Sequence, residues 1–322
     1  MRREPGLARR LHRAGMALDL EKMLEHCERG QWSVDDFDWR RPPIGLSPGQ
    51  ERRVCAYFVN MSYIERIAGA LFLSLSRRLD DPVLAAIFRT FHADELRHSH
   101  AAARLADHFD AHHYEVYTPN IPMLRFIPHF VRAIDRLHPA YATSFILGGE
   151  LILDTALLRG LNAYLDDPLS RAVVERINQD ESRHLAMDMY LTEYFAGRDL
   201  DSDRRSPWRD PDWWGVLGWG PAFFAEVFFR PMQILDPAQV QMEDAMRRFR
   251  RFYDRATVAA NPAVQQFRAV VQFLESRPGA ILGRGLEEVI RRLSGIDLAF
   301  VHAAPAARPS GAPQAAPHPA LA

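Results

Sequence analysis

Two short segments of this sequence carry side chains that could bind metal ions: Asp94-Glu95-Leu96-Arg97-His98 and Asp180-Glu181-Ser182-Arg183-His184. In each segment the glutamate and the histidine are three residues apart, so on a helix they would share one face and could ligate one ion together. A further acid precedes each motif, since Glu65 lies 30 residues before Glu95 and Glu150 lies 31 residues before Glu181. Four carboxylates and two imidazoles form an oxygen and nitrogen ligand set that suits iron or manganese better than structural zinc.

These side chains fall on helical stripes that are otherwise apolar. When the sequence is read in steps of three and four residues, Glu65 follows Met61 and precedes Ala68 and Phe72 on one stripe. Burying carboxylates without compensation is very costly. Because the stripes contain no lysine or arginine, metal ions explain the acids better than ion pairs do. The sequence therefore predicts a buried two-metal site with six ligands: Glu65, Glu95, His98, Glu150, Glu181 and His184.

The two motifs belong to an internal repeat. A shift of 86 positions places Asp80–His98 on Asp166–His184 without a gap, and eight of the 19 positions are identical. Each copy is preceded by a long helical segment with one glutamate in its apolar face. Repeated helix pairs usually stack so that equivalent faces meet, and we expect the two copies to meet at the metal site.

Four helices are expected to position these ligands, at about 47–78, 80–110, 139–165 and 167–197. The first begins with a Ser47 cap, a proline at the first helical position and Gln50 three residues on. The proline-rich stretch between the second and third helices is long enough to cross the length of a bundle. The predicted fold is all-α: a ferritin-like four-helix bundle with additional N-terminal and C-terminal helices.

The predicted bundle covers residues 47–197, and three further regions flank it. Residues 1–46 are predicted to form an arm with one helix near 16–29. Residues 198–302 are predicted to form a helical extension that packs on the bundle, after a tryptophan-rich loop at 198–220. The alanine- and proline-rich residues 303–322 are predicted to be disordered.

Across about 47–197, the paired Asp-Glu-x-Arg-His motifs resemble those of di-iron oxygenases. These include bacterial multicomponent hydroxylases, soluble acyl-carrier-protein desaturases and the p-aminobenzoate N-oxygenase group. The resemblance implies two iron ions, with a mixed manganese–iron pair as the alternative. It also implies that Glu65, Glu95 and His98 form one side of the cluster and that Glu150, Glu181 and His184 form the other. Asp94 and Asp180 would accept hydrogen bonds from ligand imidazoles on the opposite helix and would be held by Arg97 and Arg183.

Several residues near the motifs leave alternatives open. The N-oxygenase group has a third histidine one turn before the second motif's glutamate, whereas this chain has Ile177, and His92 is the available substitute. Asp154 and Asp188 lie one turn beyond Glu150 and His184 and are expected to support the site by hydrogen bonding, with direct metal ligation as the alternative. His100 and His108 are expected to be exposed. Glycines beside the ligands at 69, 148 and 149 would either leave space near the metals or allow close helix packing.

The expected function is a dioxygen-activating oxygenase or hydroxylase that acts on a small organic substrate, with amine N-oxygenation as one option. The aromatic residues after the fourth helix, such as Phe223 and Phe224, would either wall a substrate pocket or form core. The alternatives are a metal-storage protein or a ligand-binding oxidase without organic turnover, and a degenerate bundle without metal.

The composition limits the partners. A formal net charge of −1 gives no reason to expect nucleic acid, and no apolar run reaches the ~18 residues of a membrane span. Two cysteines without a redox motif favour a cytoplasmic location. The expected partners are a small-molecule substrate, dioxygen and an external electron donor, with a homodimer left open. The arginine-rich segment 247–255 is either a solvated helix face or a docking site for an acidic carrier protein.

Overall fold

The computed structural model describes residues 18–136, 138–152, 165–196, 209–224 and 226–227, together with scattered residues between 247 and 292. Every regular element in these ranges is helical, which confirms the predicted all-α class. A short 3₁₀ helix covers Val34–Asp36. The α-helices are α1 (Leu20–Arg29), α2 (Pro48–Arg78), α3 (Pro82–Phe109), α4 (Ile121–Arg136), α5 (Pro139–Ile152), α6 (Pro168–Ala196) and α7 (Pro211–Phe224).

The long helices begin where side chains satisfy the free amides of the first turn. At the start of α2, the Ser47 amide and hydroxyl both donate to Gln50 Oε1, at 3.0 and 2.7 Å. At α3, Asp81 Oδ1 accepts from the amides of Val83 and Leu84. The repeat places Asp167 in the same role at α6, where Oδ2 accepts from the Ser170 amide at 2.8 Å. These caps fix the helix starts that the sequence predicted.

The bundle consists of two antiparallel helix pairs. Three residues connect α2 to α3, and the two helices pack along their length. In the second pair, His138 at the start of α5 packs edge-on against Phe195 near the end of α6. Helices α3 and α6 are also antiparallel, because His98 faces Asp180 while His184 faces Asp94. The four helices α2, α3, α5 and α6 therefore form the ferritin-like bundle, with the two copies of the repeat facing each other.

The crossover between α3 and α5 is largely helical. Helix α4 occupies Ile121–Arg136, with Pro128 inside it, and packs on α7 through the stacked rings of Phe126 and Phe223, 4.1 Å apart. The prediction of a loop at 198–220 was wrong from Pro211 onwards. Asp210 Oδ1 accepts from the amide of Asp212 at 2.8 Å, and Pro211 has the fixed φ of a first helical residue. These two residues start α7 despite its tryptophans and glycines.

Other predictions about the outer parts have mixed outcomes. Helix α1 was expected and is present, beginning at Leu20 with Asp19 as its cap. His100 is exposed as predicted, but His108 is not, since its side chain is 2% exposed and lies 3.5 Å from Asp167. Most of the predicted 198–302 extension and the whole 303–322 tail lie outside the described residues. Among the helices that the structure describes, none is long and apolar enough to span a membrane.

Candidate metal centre

The four bundle helices bring the six predicted ligands together in the interior, where each is between 0% and 7% exposed. Two groups could each hold one ion, because the candidate donor atoms in each group lie within 4.8 Å of one another. Glu95 and Glu181 belong to both groups. The first group is Glu65, Glu95, His98 and Glu181, and the second is Glu95, Glu150, Glu181 and His184.

Each donor group contains one of the two expected sets of three ligands and adds the glutamate of the opposite motif. His98 Nδ1 lies 3.1 Å from Glu181 Oε1, and His184 Nδ1 lies 3.0 Å from Glu95 Oε1. Each imidazole thus approaches the glutamate of the opposite motif, because α3 and α6 run antiparallel and face each other. A carboxylate has two oxygens and can contact two ions, so Glu95 and Glu181 are placed to bridge a metal pair.

The pKa shifts show that the buried acids are destabilised in their charged forms. Burial, together with the nearby charges of Glu95 and Glu181, raises the pKa of Glu65 well above its usual value. Burial likewise raises the pKa of Glu150, and the charge of Glu181 adds to the effect. Burial alone would lower the pKa of His98, but the hydrogen bond to Asp180 and the nearby charges of Glu181 and Glu95 outweigh it and raise that pKa. Two cations would relieve this repulsion.

Unpaired polar atoms point to the same conclusion. Within the described residues, both carboxylate oxygens of Glu95 are buried without a hydrogen-bond partner, as are Nδ1 of His98 and Nδ1 of His184. Oε2 of Glu150 is in the same state. Buried polar groups are normally hydrogen-bonded, and these are the donor types that iron and manganese accept. The residues present therefore fit a pair of metal ions.

The outer nitrogen of each ligand histidine faces an aspartate of the opposite motif. His98 Nε2 lies 3.0 Å from Asp180 Oδ2, and His184 Nε2 lies 3.4 Å from Asp94 Oδ2. A proton on Nε2 donates to the aspartate and leaves the Nδ1 lone pair for a metal ion. Both aspartates also form ion pairs with arginine guanidinium groups. Within each motif, Asp94 pairs with Arg97 and Asp180 pairs with Arg183. Between the motifs, Arg97 lies 3.8 Å from Asp180 and Arg183 lies 3.8 Å from Asp94.

Two residues of the N-terminal segment complete this outer layer, and the sequence did not identify them. Trp32 Nε1 donates to Asp180 Oδ2 at 2.8 Å, and its ring stacks on His98 with centroids 6.3 Å apart. Gln31 Nε2 donates to Asp94 Oδ1 at 3.0 Å. No spacing rule relates Gln31 or Trp32 to the motifs. The available signal was a tryptophan-rich connection directly before the bundle.

The remaining candidates have different surroundings. His92 Nδ1 bonds the Gly69 carbonyl at 2.9 Å and belongs to neither donor group. A Cβ on Gly69 would lie 3.1 Å from Glu95 Cβ, so this glycine allows close helix packing and leaves no space beside the metals. A Cβ on Gly149 would meet no described atom within 4 Å. Asp188 is buried near the centre, whereas Asp154 lies outside the described residues.

The fold and the site together define a class. Two helices that each contribute a glutamate, facing two helices that each contribute a Glu-x-x-His motif, are the arrangement of ferritin-like di-metal carboxylate proteins. No family model matches the chain, and neither does any curated protein. One similar solved structure is a mutant R2-like ligand-binding oxidase with an anaerobically reconstituted Mn/Fe cofactor. It is 14% identical, covers 82% of this chain and 96% of its own, and has a TM-score of 0.43.

Proposed function

We propose that this chain is a di-metal oxygenase that activates dioxygen to oxidise a small organic molecule. Two iron ions, or one manganese and one iron, would be held by the two donor groups and would supply the redox chemistry of dioxygen reduction. The observation that carries the proposal is the burial of a carboxylate-rich cluster, whose six candidate ligands are each at most 7% exposed and lie beside aromatic rings. A storage site needs a wet path for ions, whereas reactive oxygen chemistry needs water kept out.

The aromatic residues of the bundle provide this enclosure. The His184 ring lies 4.2 Å from that of Phe91 and 5.2 Å from that of Phe72, measured between centroids. On the other half, the Trp32 ring covers His98. These rings limit access of water to both imidazoles, so an apolar substrate would compete well for the space beside the metals.

The charged residues around the cluster hold the ligands in place. Glu95 and Glu181, shared by the two donor groups, would contribute to holding both ions. Asp94 and Asp180 fix the imidazoles in one orientation, which would keep the nitrogen ligands in place for the metal pair. Since Cys27 and Cys55 are buried and unpaired, an external donor would have to supply the electrons.

Metal counting and rapid kinetics test this function. Protein loaded anaerobically with Fe(II) should hold two ions per chain and show a transient absorbance change when dioxygen is mixed in by stopped flow. Glu95→Ala and Glu181→Ala should each remove a ligand from both donor groups and abolish the transient. Glu51→Ala is the matched control, because Glu51 is a 2% exposed glutamate of α2 that bonds His112 away from the site.

The alternatives give different results in the same experiment. A storage protein would take up many more than two ions per chain and would mineralise them under air. A ligand-binding oxidase would consume dioxygen once per chain without repeated formation of an organic product. Screening aromatic amines against hydrocarbons of similar size would then separate N-oxygenation from hydroxylation of carbon.

A further inference from the structure

Asp188 is a buried carboxylate that the metal site does not use. It is 0% exposed, and in the part of the chain that the structure describes neither of its oxygens has a hydrogen-bond partner. It also belongs to neither donor group of the metal centre. An ionised carboxylate without a partner is expensive to bury, and burial raises the pKa of Asp188 well above its usual value, so a cationic partner would stabilise its charged form.

Its position on α6 directs Asp188 towards the metal centre. It lies four residues after His184 and seven after Glu181, so all three share one helix face. Its charge contributes to the raised pKa of Glu150 on α5. Asp188 therefore lies beside the second donor group, one turn along the bundle from the ligand histidine.

Asp188 interacts electrostatically with His184, Glu181 and Glu95, and apolar side chains lie next to it along α6. Leu185 and Met189, its neighbours on α6, belong to a buried cluster with Leu147 of α5 and Tyr253 of the C-terminal region. Burial raises the pKa of Tyr253, and the charge of Asp188 adds to the effect. An acid between the metal ligands and an apolar cluster could set the orientation of a bound molecule, as a single polar group does in a ligand pocket.

The internal repeat shows that this acid is specific to one half of the site. The position equivalent to Asp188 in the first copy is Ala102, which is also fully buried. The residues that bind metal are the same in both copies, so metal binding does not require an acid at this position. The carboxylate distinguishes the Glu150–His184 side of the centre from the Glu65–His98 side.

We propose that Asp188 binds the amino group of the substrate, and that the substrate is an apolar molecule carrying a protonated amine, held on the Glu150–His184 side. This inference rests on the proposed oxygenase function. An ammonium group supplies both the charge and the hydrogen-bond donors that the two unpaired oxygens lack. A carboxylic acid of the same size would be repelled, and a neutral alcohol would offer one uncharged donor.

Binding of three matched probes tests the proposal. We would titrate n-hexylamine, n-hexanol and n-hexanoate into the anaerobic, metal-loaded full-length protein and measure the heat of binding. The amine should bind at least tenfold more tightly than the alcohol, and hexanoate should bind more weakly than either. Asp188→Leu should weaken amine binding roughly ten- to hundredfold, as expected for loss of a charged hydrogen bond, while the alcohol keeps its affinity.

Hexanol binding and the metal content of each variant serve as controls for folding and for metal ligation. Retained hexanol binding and a content of two ions per chain show that Asp188→Leu is folded, and Asp188→Asn provides an isosteric variant if the leucine is not tolerated. Loss of an ion in Asp188→Asn would identify a metal ligand and overturn the proposal. Equal binding of amine and alcohol by the unmodified protein would also overturn it. Because no dioxygen is present, amine selectivity can be established even if the oxygenase function fails.

Discussion

Replacing Trp32 by phenylalanine should weaken metal binding without removing any ligand. The change deletes the Nε1 donor that lies 2.8 Å from Asp180 Oδ2 and retains most of the aromatic body that stacks on His98. Asp180 is then held by fewer groups while it continues to orient the imidazole. Burial would raise the pKa of Asp180, but hydrogen bonds from His98 and Trp32 outweigh it, so the acceptor is ionised and the lost bond is charge-assisted.

The magnitude follows from that charge. A hydrogen bond to an ionised group contributes about 1.5–3 kcal/mol, and removal of a group that orients a ligand costs about 10- to 100-fold in metal affinity. We therefore expect Trp32→Phe to lower the affinity for Fe(II) or Mn(II) by a factor in that range. The measurement is anaerobic competition with a fluorescent chelator, accompanied by urea unfolding of the metal-free protein.

Trp39→Phe is the matched control. Trp39 belongs to the same N-terminal segment and also donates through Nε1, at 2.7 Å, but its acceptor is the carbonyl oxygen of Val34. This variant should lose about 1 kcal/mol of stability and bind metal as the unmodified protein does. Unchanged metal affinity in Trp32→Phe, or an equal loss in both variants, would refute the idea that the N-terminal segment orients the ligands.

Three further results are expected. Gly69→Ala should lower the free energy of unfolding in urea by about 1–2 kcal/mol, because the new methyl group would press on Glu95. Gly149→Ala should raise the free energy of unfolding, by about 1 kcal/mol at most. Hydrogen bonds from Arg132 and other cations lower the pKa of Asp212, so Asp212→Asn should cost about 1 kcal/mol at pH 7, given the half-exposed arginine. That cost should begin to shrink as the pH falls below about 4, near the pKa of an unfolded aspartate, and should vanish only below the lower folded pKa, so an undiminished difference in strong acid would contradict it. Chelation should lower stability by about 2.7 kcal/mol per ion at a metal concentration 100-fold above Kd, and calorimetry checks this.

The sequence predicted the bundle and the six candidate ligands because both depend on local periodicity. A glutamate in an apolar stripe, such as Glu65 or Glu150, conflicts with burial unless something compensates its charge, and this conflict is visible without coordinates. The caps at Ser47 and Asp81 are also local, so the starts of α2 and α3 could be read directly. These features need no knowledge of which helices meet.

The features that the sequence did not predict are those that tertiary contacts determine. The two-sided contacts of Glu95 and Glu181 depend on the antiparallel meeting of α3 and α6, which motif spacing does not specify. Trp32 reaches Asp180 across 148 positions of sequence. His108 lies off the ligand stripe, yet Asp167 and the neighbouring Trp39 ring cover it. In each case the side chain contacts a segment that is distant in sequence, and no pattern in either segment indicates that the two meet.

The duplication explains why the centre is symmetric and where that symmetry must end. Two similar ions need similar ligands, so the motif residues and their aspartate partners are retained in both copies. An unsymmetrical organic substrate would be held in one orientation only where the two copies differ, so the positions that recognise it are sought among those differences. Phe91 corresponds to Ile177, and Ala102 corresponds to Asp188, each within two turns of a ligand histidine. Phe91 is the bulkier residue of the first pair, and Asp188 is the more polar residue of the second. Both lie on the side of His184, where we expect the substrate to bind.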